Sequence, residues 1–275
     1  MRLTFTLLTI LTTYYSFAQP NCNAYKYYGD TLKYQACLKA EETGNHYQFS
    51  AAFQSILDEA LEIDSTYAYA YREKSVAYLK SGDFVTWKKL MDKAVKFDTL
   101  ANLGYRGWCR YQFFRDYQGA IEDIELFDDY MKNDIGYSAN GHYHLNIAKA
   151  FCYKAIGEKV KAIEIMENQL ETTDYEAGIY DYLHLGILYY ESGQFDLAME
   201  TLLKQEKMND IAENRYYTAL TSLALGNHDN YHENLVEARA LYLEKRRLFD
   251  YYSNPLDKIY LKDIEIALGM TQDND

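Results

Sequence analysis

His228 and His232 stand one helical turn apart with Glu233 beside them, a geometry that can seat zinc or copper. The same stretch opens a helical run, where polar side chains ordinarily face water, and a solvated helix start is the simpler reading. His142 and His144 are two residues apart, share no helix face and take the same reading. The chain contains no G-x-x-x-x-G-K-S/T, no H-E-x-x-H, no G-x-S-x-G and no C-x-x-C. Phosphate-cradle, zincin, hydrolase and paired-thiol chemistry are therefore without an anchor. The residue types call for no catalytic centre, cofactor or resident metal, and the expectation is a protein that is not an enzyme.

The remaining reactive side chains are four cysteines, whose meaning depends on the compartment. Residues 1–18 carry Arg2, an apolar run from Leu3 to Leu11, and Ser16-Phe17-Ala18, with small residues three and one before a candidate cut. That is the order of a secretory signal peptide, with cleavage expected after Ala18; an uncleaved anchor helix is the alternative. The protein is accordingly expected to be exported, to a periplasm or beyond the cell. Cys22 and Cys37 flank one short segment and form a candidate disulfide that would staple the first helix. Cys109 and Cys152 lie among apolar helical residues, where a thiol acts as a small hydrophobe. Four cysteines allow three complete pairings, and spacing alone does not choose among them.

Charge narrows the partners. The formal charge of −13 becomes −14 when the leader takes Arg2 and no acid with it. Such a surface repels phosphate backbones, and the one basic cluster, Lys245-Arg246-Arg247, sits where a helix end favours positive charge. A protein or peptide partner is expected, and nucleic acid is not.

The elements that would position these residues are helices. Apolar residues recur three and four apart over long stretches, and there are two prolines, Pro20 and Pro255. Short polar turns interrupt the pattern at residues 80–84 (KSGDF), 114–117 (FRDY), 155–159 (AIGEK), 191–195 (ESGQF) and 224–228 (ALGNH). Gly193 and Gly226 are 33 residues apart, Gly157 and Gly193 are 36 apart, and Gly82 and Gly157 are 75 apart. An interval near 34 marks stacked helix pairs. Residues 183–206 (LHLGILYYESGQFDLAMETLLKQE) read as one such pair, with Gly186 and Ala198 small enough to let the helices approach and Gly193 ending the first of them.

Leu185, Gly186, Tyr189, Gly193, Phe195 and Ala198 resemble the tetratricopeptide repeat: a large and a small residue, an aromatic one turn on, a turn glycine, then alanines on the second helix. Ser75, Tyr78, Gly82, Phe84 and Ala94 serve a second unit. Gly107, Asp116, Tyr117 and Ala120 serve a third, with one extra residue in its turn. Ala150, Tyr153, Gly157 and Ala162 fit a fourth, Ala219, Gly226 and Ala238 a fifth, and Cys37, Gly44, Tyr47 and Ala60 a fainter opening one. Trp87 and Tyr231 replace small residues, and Ser65 and Thr99 stand where the family commonly closes a unit with proline. The resemblance implies an all-α fold, a right-handed α-solenoid of about six helix hairpins over residues 19–250. Residues 251–270 would hold a capping helix, expected over 256–268, and residues 271–275 a frayed tail. Residues 128–141 exceed a normal connection and are expected to bulge, either functionally or as a tolerated insertion.

Tyrosine accounts for 30 of 275 residues, and many lie on the first helices of these units. By the resemblance, the concave face would present Tyr69, Arg72, Val76, Trp108, Tyr111, Phe151, Lys154, Tyr180, Ile187, Tyr190 and Tyr216. Tyrosine offers a large contact area at a small entropic cost, which suits recognition of a peptide or protein. The implied function is a non-catalytic interaction scaffold or adaptor gripping a partner in an aromatic groove. A structural accessory of a cell-envelope complex, working through its convex face or oligomer contacts, is the alternative.

Overall fold

The computed structural model describes residues 21–251 and 253–270; the expected leader over residues 1–18 and the tail over 271–275 lie outside the described residues. A short α1 (Cys22–Tyr27) precedes six helix pairs. These are α2 (Thr31–Glu41) with α3 (Ala51–Ile63), α4 (Ala68–Ser81) with α5 (Phe84–Phe97), and α6 (Thr99–Cys109) with α7 (Tyr117–Tyr130). Then come α8 (Leu145–Ala155) with α9 (Lys159–Leu170), α10 (Asp181–Glu191) with α11 (Phe195–Met208), and α12 (Ala212–Ala224) with α13 (His228–Leu243), followed by α14 (Leu261–Ala267). Among the described residues there is no strand, only one isolated bridge between Tyr137 and His144. Each helix packs chiefly on its neighbours in the chain, so the pairs stack in sequence order as an all-α solenoid. No described helix is long and apolar enough to cross a membrane.

Local chemistry fixes the helix boundaries. Asp83, Asp98, Asp116 and Asn227 each accept a backbone N–H from the first turn of α5, α6, α7 and α13 respectively. Gly82, Gly157, Gly193 and Gly226 hold left-handed backbone at the hairpin turns, with φ between 75° and 92°. In the third pair, Arg115 takes that place with φ 54°. The extra residue in its turn is absorbed by a π-helical stretch, Arg110–Phe114.

Gly186 meets α11 at Leu202: a Cβ on Gly186 would lie 2.8 Å from that side chain. Leu202, rather than the expected Ala198, is thus the direct opposite of this glycine, while Ala198 is fully buried nearby. The central core runs through the second to fifth pairs, from Trp87 and Met91 to Leu188 and Tyr189. A buried carboxylate, Asp123, joins α6 to α7 by taking Arg106 at 2.6 Å and Arg110 at 3.1 Å. At the N-terminus Cys22 and Cys37 are disulfide-bonded, with Cα atoms 5.5 Å apart, and tie α1 to α2. Cys109 and Cys152 are buried free thiols; burial pushes Cys109 up to about 12 and raises Cys152 as well.

Two segments depart from the expectation. Helix α7 takes up the start of the long connection, to Tyr130, and residues 131–144 are non-helical and mostly exposed, anchored at a few buried positions. Ile135 is buried there, and the Ser138 N–H donates to Tyr143 at 2.8 Å. His144 is not solvated. It is fully buried, caps α8 by accepting the Asn146 N–H at Nδ1 (3.1 Å), and holds Asp134 at 2.7 Å through Nε2. The expected capping helix is shorter than 256–268, because α14 begins only at Leu261. Residues 244–251 and 253–260 are not helical: Lys245 and Asp257 adopt φ 65° and 64°, and Pro255 removes a backbone donor.

Candidate functional site

The first helices α4, α6, α8, α10 and α12 carry the residues assigned to the inner face. The chain's own C-terminal segment, residues 244–251 and 253–260, here called the strap, runs over residues of α8, α10 and α12 and reaches the π-helical turn that follows α6. Its path is recorded by its contacts. Arg246 O accepts the Ala212 N–H at 2.9 Å, and the Leu248 N–H donates to the Glu213 carboxylate at 2.9 Å. The Leu248 side chain enters an apolar pocket of Leu183, Ile187, Leu202 and Ile211. Further on, Gln112 Nε2 donates to Ser253 Oγ at 2.6 Å, and Arg115 reaches the Asn254 carbonyl at 3.3 Å. Leu256 packs against the central core, and Ile259 returns to the C-terminal core beside Leu235 and Ile264.

Asp257 anchors the strap through a buried ion pair. Its buried carboxylate takes the Lys154 ammonium on one oxygen and His184 Nδ1 on the other at 2.7 Å. Burial pushes this carboxyl up, but the charges and hydrogen bonds of Lys154 and His184 outweigh it and hold Asp257 down at about 2. Lys154 also pairs with Glu191 at 3.1 Å, and His184 Nε2 lies 3.2 Å from the Tyr143 hydroxyl. The strap and the 131–144 segment thus meet on one imidazole. Glu213, at the other end of the strap, is raised by burial although the Leu248 N–H opposes the shift.

The residues assigned to the groove divide accordingly. Trp108, Tyr111, Phe151 and Ile187 are buried, and Phe151 and Ile187 have no exposed surface left. Trp108, Tyr111, Phe151 and Tyr143 form one aromatic cluster with ring centroids 5.0–6.4 Å apart. Lys154 is engaged by Asp257. Tyr180 borders the Leu248 pocket, Tyr190 touches Phe195 and Tyr217, and Tyr216 packs on the C-terminal core. Tyr69, Arg72 and Val76 on α4 stay partly exposed beyond the strap's reach. There Arg72 lies over the Tyr105 ring at 4.5 Å. His228 and His232 are exposed on α13.

Between the strap and the body lies a cavity of about 400 Å³, walled by Tyr111, Gln112, Tyr143, Tyr180, Leu248 and Phe249 among others. A second, of about 190 Å³, lies beside Tyr69 and Arg72. Gln112, His184, Glu213 and Asp257 were not visible as site residues in the sequence. The one available signal was the loss of helical periodicity after Leu243, followed by a stretch too long for an ordinary connection.

No protein-family profile matches this chain, and no curated protein matches it in sequence. Solved structures do. The type IV pilus biogenesis factor PilW superposes with a TM-score of 0.58 at 13% identity, covering 76% of this chain and 94% of its own. PilF of Pseudomonas aeruginosa gives 0.57 at 14%, covering 88% and 99%. YrrB, described as a TPR protein with an unusual peptide-binding site, gives 0.51 at 15%, covering 71% and 94%. The fold is that of a tetratricopeptide-repeat solenoid. In this solenoid the departures lie where the repeat pattern is silent, in the 131–144 segment and the strap, and both meet at His184.

Proposed function

We propose that this protein is an exported, non-catalytic interaction scaffold whose first-helix face receives an extended stretch of a partner polypeptide. The observation that carries this reading is that the face already carries an extended polypeptide, its own strap. Apolar pockets, the amide of Gln112 and the charge of Lys154 together grip non-helical chain, which is what recognition of a linear segment needs. Tyr69, Arg72 and Val76 extend the same face into the N-terminal half, where a partner has access without moving the strap. Export is supported by the composition of residues 1–18 and by the Cys22–Cys37 bond, which belongs to an oxidising compartment.

The alternative of a structural envelope subunit draws on a different feature. Val85, Val160 and Val236 on the second helices α5, α9 and α13 are exposed by 67%, 80% and 50%. Photo-crosslinking separates the two. A crosslinker at Tyr69 is expected to trap a protein from the native envelope fraction, whereas one at Val160 is not. Adducts from Val160 alone would transfer the function to the outer face.

A further inference from the structure

Both ends of the strap are fixed at one end of the solenoid. It leaves α13 through the left-handed Lys245, is held at Leu248 by Glu213, and returns at Ile259 into the core that seats α14. Between these points it travels out to Gln112 and Arg115 and comes back to Lys154 and His184. The middle could therefore lift while α13 and α14 keep their packing.

The means of attachment fit such lifting. Among the described residues from 247 to 259, no backbone group makes a backbone–backbone hydrogen bond to the solenoid. What holds the middle is side-chain contacts, among them Gln112 to Asp250 and Ser253, Arg115 to Asn254, Leu256 on the core, and Lys154 and His184 on Asp257. A segment without a backbone ladder belongs to the low-stability end of a fold and opens locally before the helices do. The fit is also incomplete. The 400 Å³ cavity lies directly beneath Leu248, Phe249, Asp250, Ser253 and Pro255, and Tyr251 is 87% exposed. Tyr111, Tyr143 and Tyr180 line that cavity, an aromatic surface that a partner segment could use only after the strap leaves.

We propose that the strap is a resident competitor: it occupies the partner's place on α8, α10 and α12, and binding there requires its displacement. This rests on the reading of the inner face as a peptide receptor and adds its regulation. The consequence is a receptor whose apparent affinity is reduced by the fraction of molecules with the strap lifted.

The test uses the strap's own sequence as ligand. In one variant, residues 247–258 are replaced by a Gly/Ser linker of equal length, with α14 retained. The probe is a fluorescent synthetic peptide of residues 246–259, followed by anisotropy. The linker variant is expected to bind it saturably, and the intact chain about tenfold or more weakly. A peptide carrying Asp257→Asn should lose about tenfold on the linker variant, because the charge that Lys154 and His184 hold is gone. Equal binding by the intact chain and the linker variant would overturn the competitor and leave the receptor standing. No binding by a linker variant of unchanged helical content would remove the receptor reading as well. Hydrogen exchange on the intact chain decides the matter if the linker variant fails to fold: amides of 247–259 should exchange far faster than those of α10 and α12. Equal protection would show a permanent structural segment and overturn the proposal.

Discussion

Gly186 shows what one residue can announce. A glycine within an apolar helical pattern costs about 1 kcal/mol relative to alanine, so its presence implies a close contact that a Cβ would obstruct. The structure supplies the contact in Leu202, fully buried on α11 and 2.8 Å from where that Cβ would be. Gly186→Ala gains propensity but forces Leu202 from its place, and overpacking of this kind costs about 1–3 kcal/mol. The expected outcome is a net loss of stability by urea denaturation. Because the residues touch, Leu202→Ala should cost less in the Gly186→Ala background than in the wild type. Additive costs would mean that the helices do not meet there. Lys154 is the opposite case. Its place on the inner face could be inferred from the repeat pattern, but not its partner Asp257, 103 residues away in a segment with no pattern at all.

At the level of elements, legibility followed periodicity. The hairpins declare themselves through turn glycines near 34 residues apart, because each turn needs left-handed backbone and each pair repeats the same contact. The 131–144 segment and the strap have neither signal, and their positions are set by contacts reaching distant helices. The two histidines near α8 illustrate the consequence: spacing suggested a solvated pair, yet His144 caps the helix inside the protein. Burial lowers the pKa of His144 from its ordinary 6.5, and the Asp134 carboxylate only partly opposes this. The folded state therefore binds fewer protons at this site than the unfolded chain does, and stability rises with pH. This contribution is complete above about pH 6.5 and is lost as pH falls through the lower value of the folded state. Proteolysis within residues 131–144 should accelerate on acidification below pH 6.5. His144→Asn keeps a capping acceptor without an ionisable ring, so it should flatten that pH dependence. An unchanged profile in this variant would assign the effect to another group.

For the molecule as a whole, the strap changes how the stack should unfold. In a solenoid each repeat touches only its neighbours, so the two ends can melt separately if an interface between them is weak. Here the strap connects the α12–α13 end to the π-helical turn of the third pair through contacts 138–141 residues apart in sequence, including Gln112 with Asp250 and Ser253. Long-range ties of this sort make loss of one end costly for the other and favour a single transition. Both tryptophans, Trp87 on α5 and Trp108 on α6, lie on the N-terminal side, so fluorescence reports that half while far-ultraviolet circular dichroism reports every helix. In the intact chain the two probes should give coincident urea transitions. In the variant with residues 247–258 replaced by a linker, the transitions should separate, with the C-terminal pairs, deprived of Leu248 in the pocket of Leu183, Ile187, Leu202 and Ile211, unfolding at lower urea than the tryptophan half. Coincident transitions in both proteins would mean that nearest-neighbour packing alone makes the solenoid cooperative and that the strap carries no mechanical coupling between its ends.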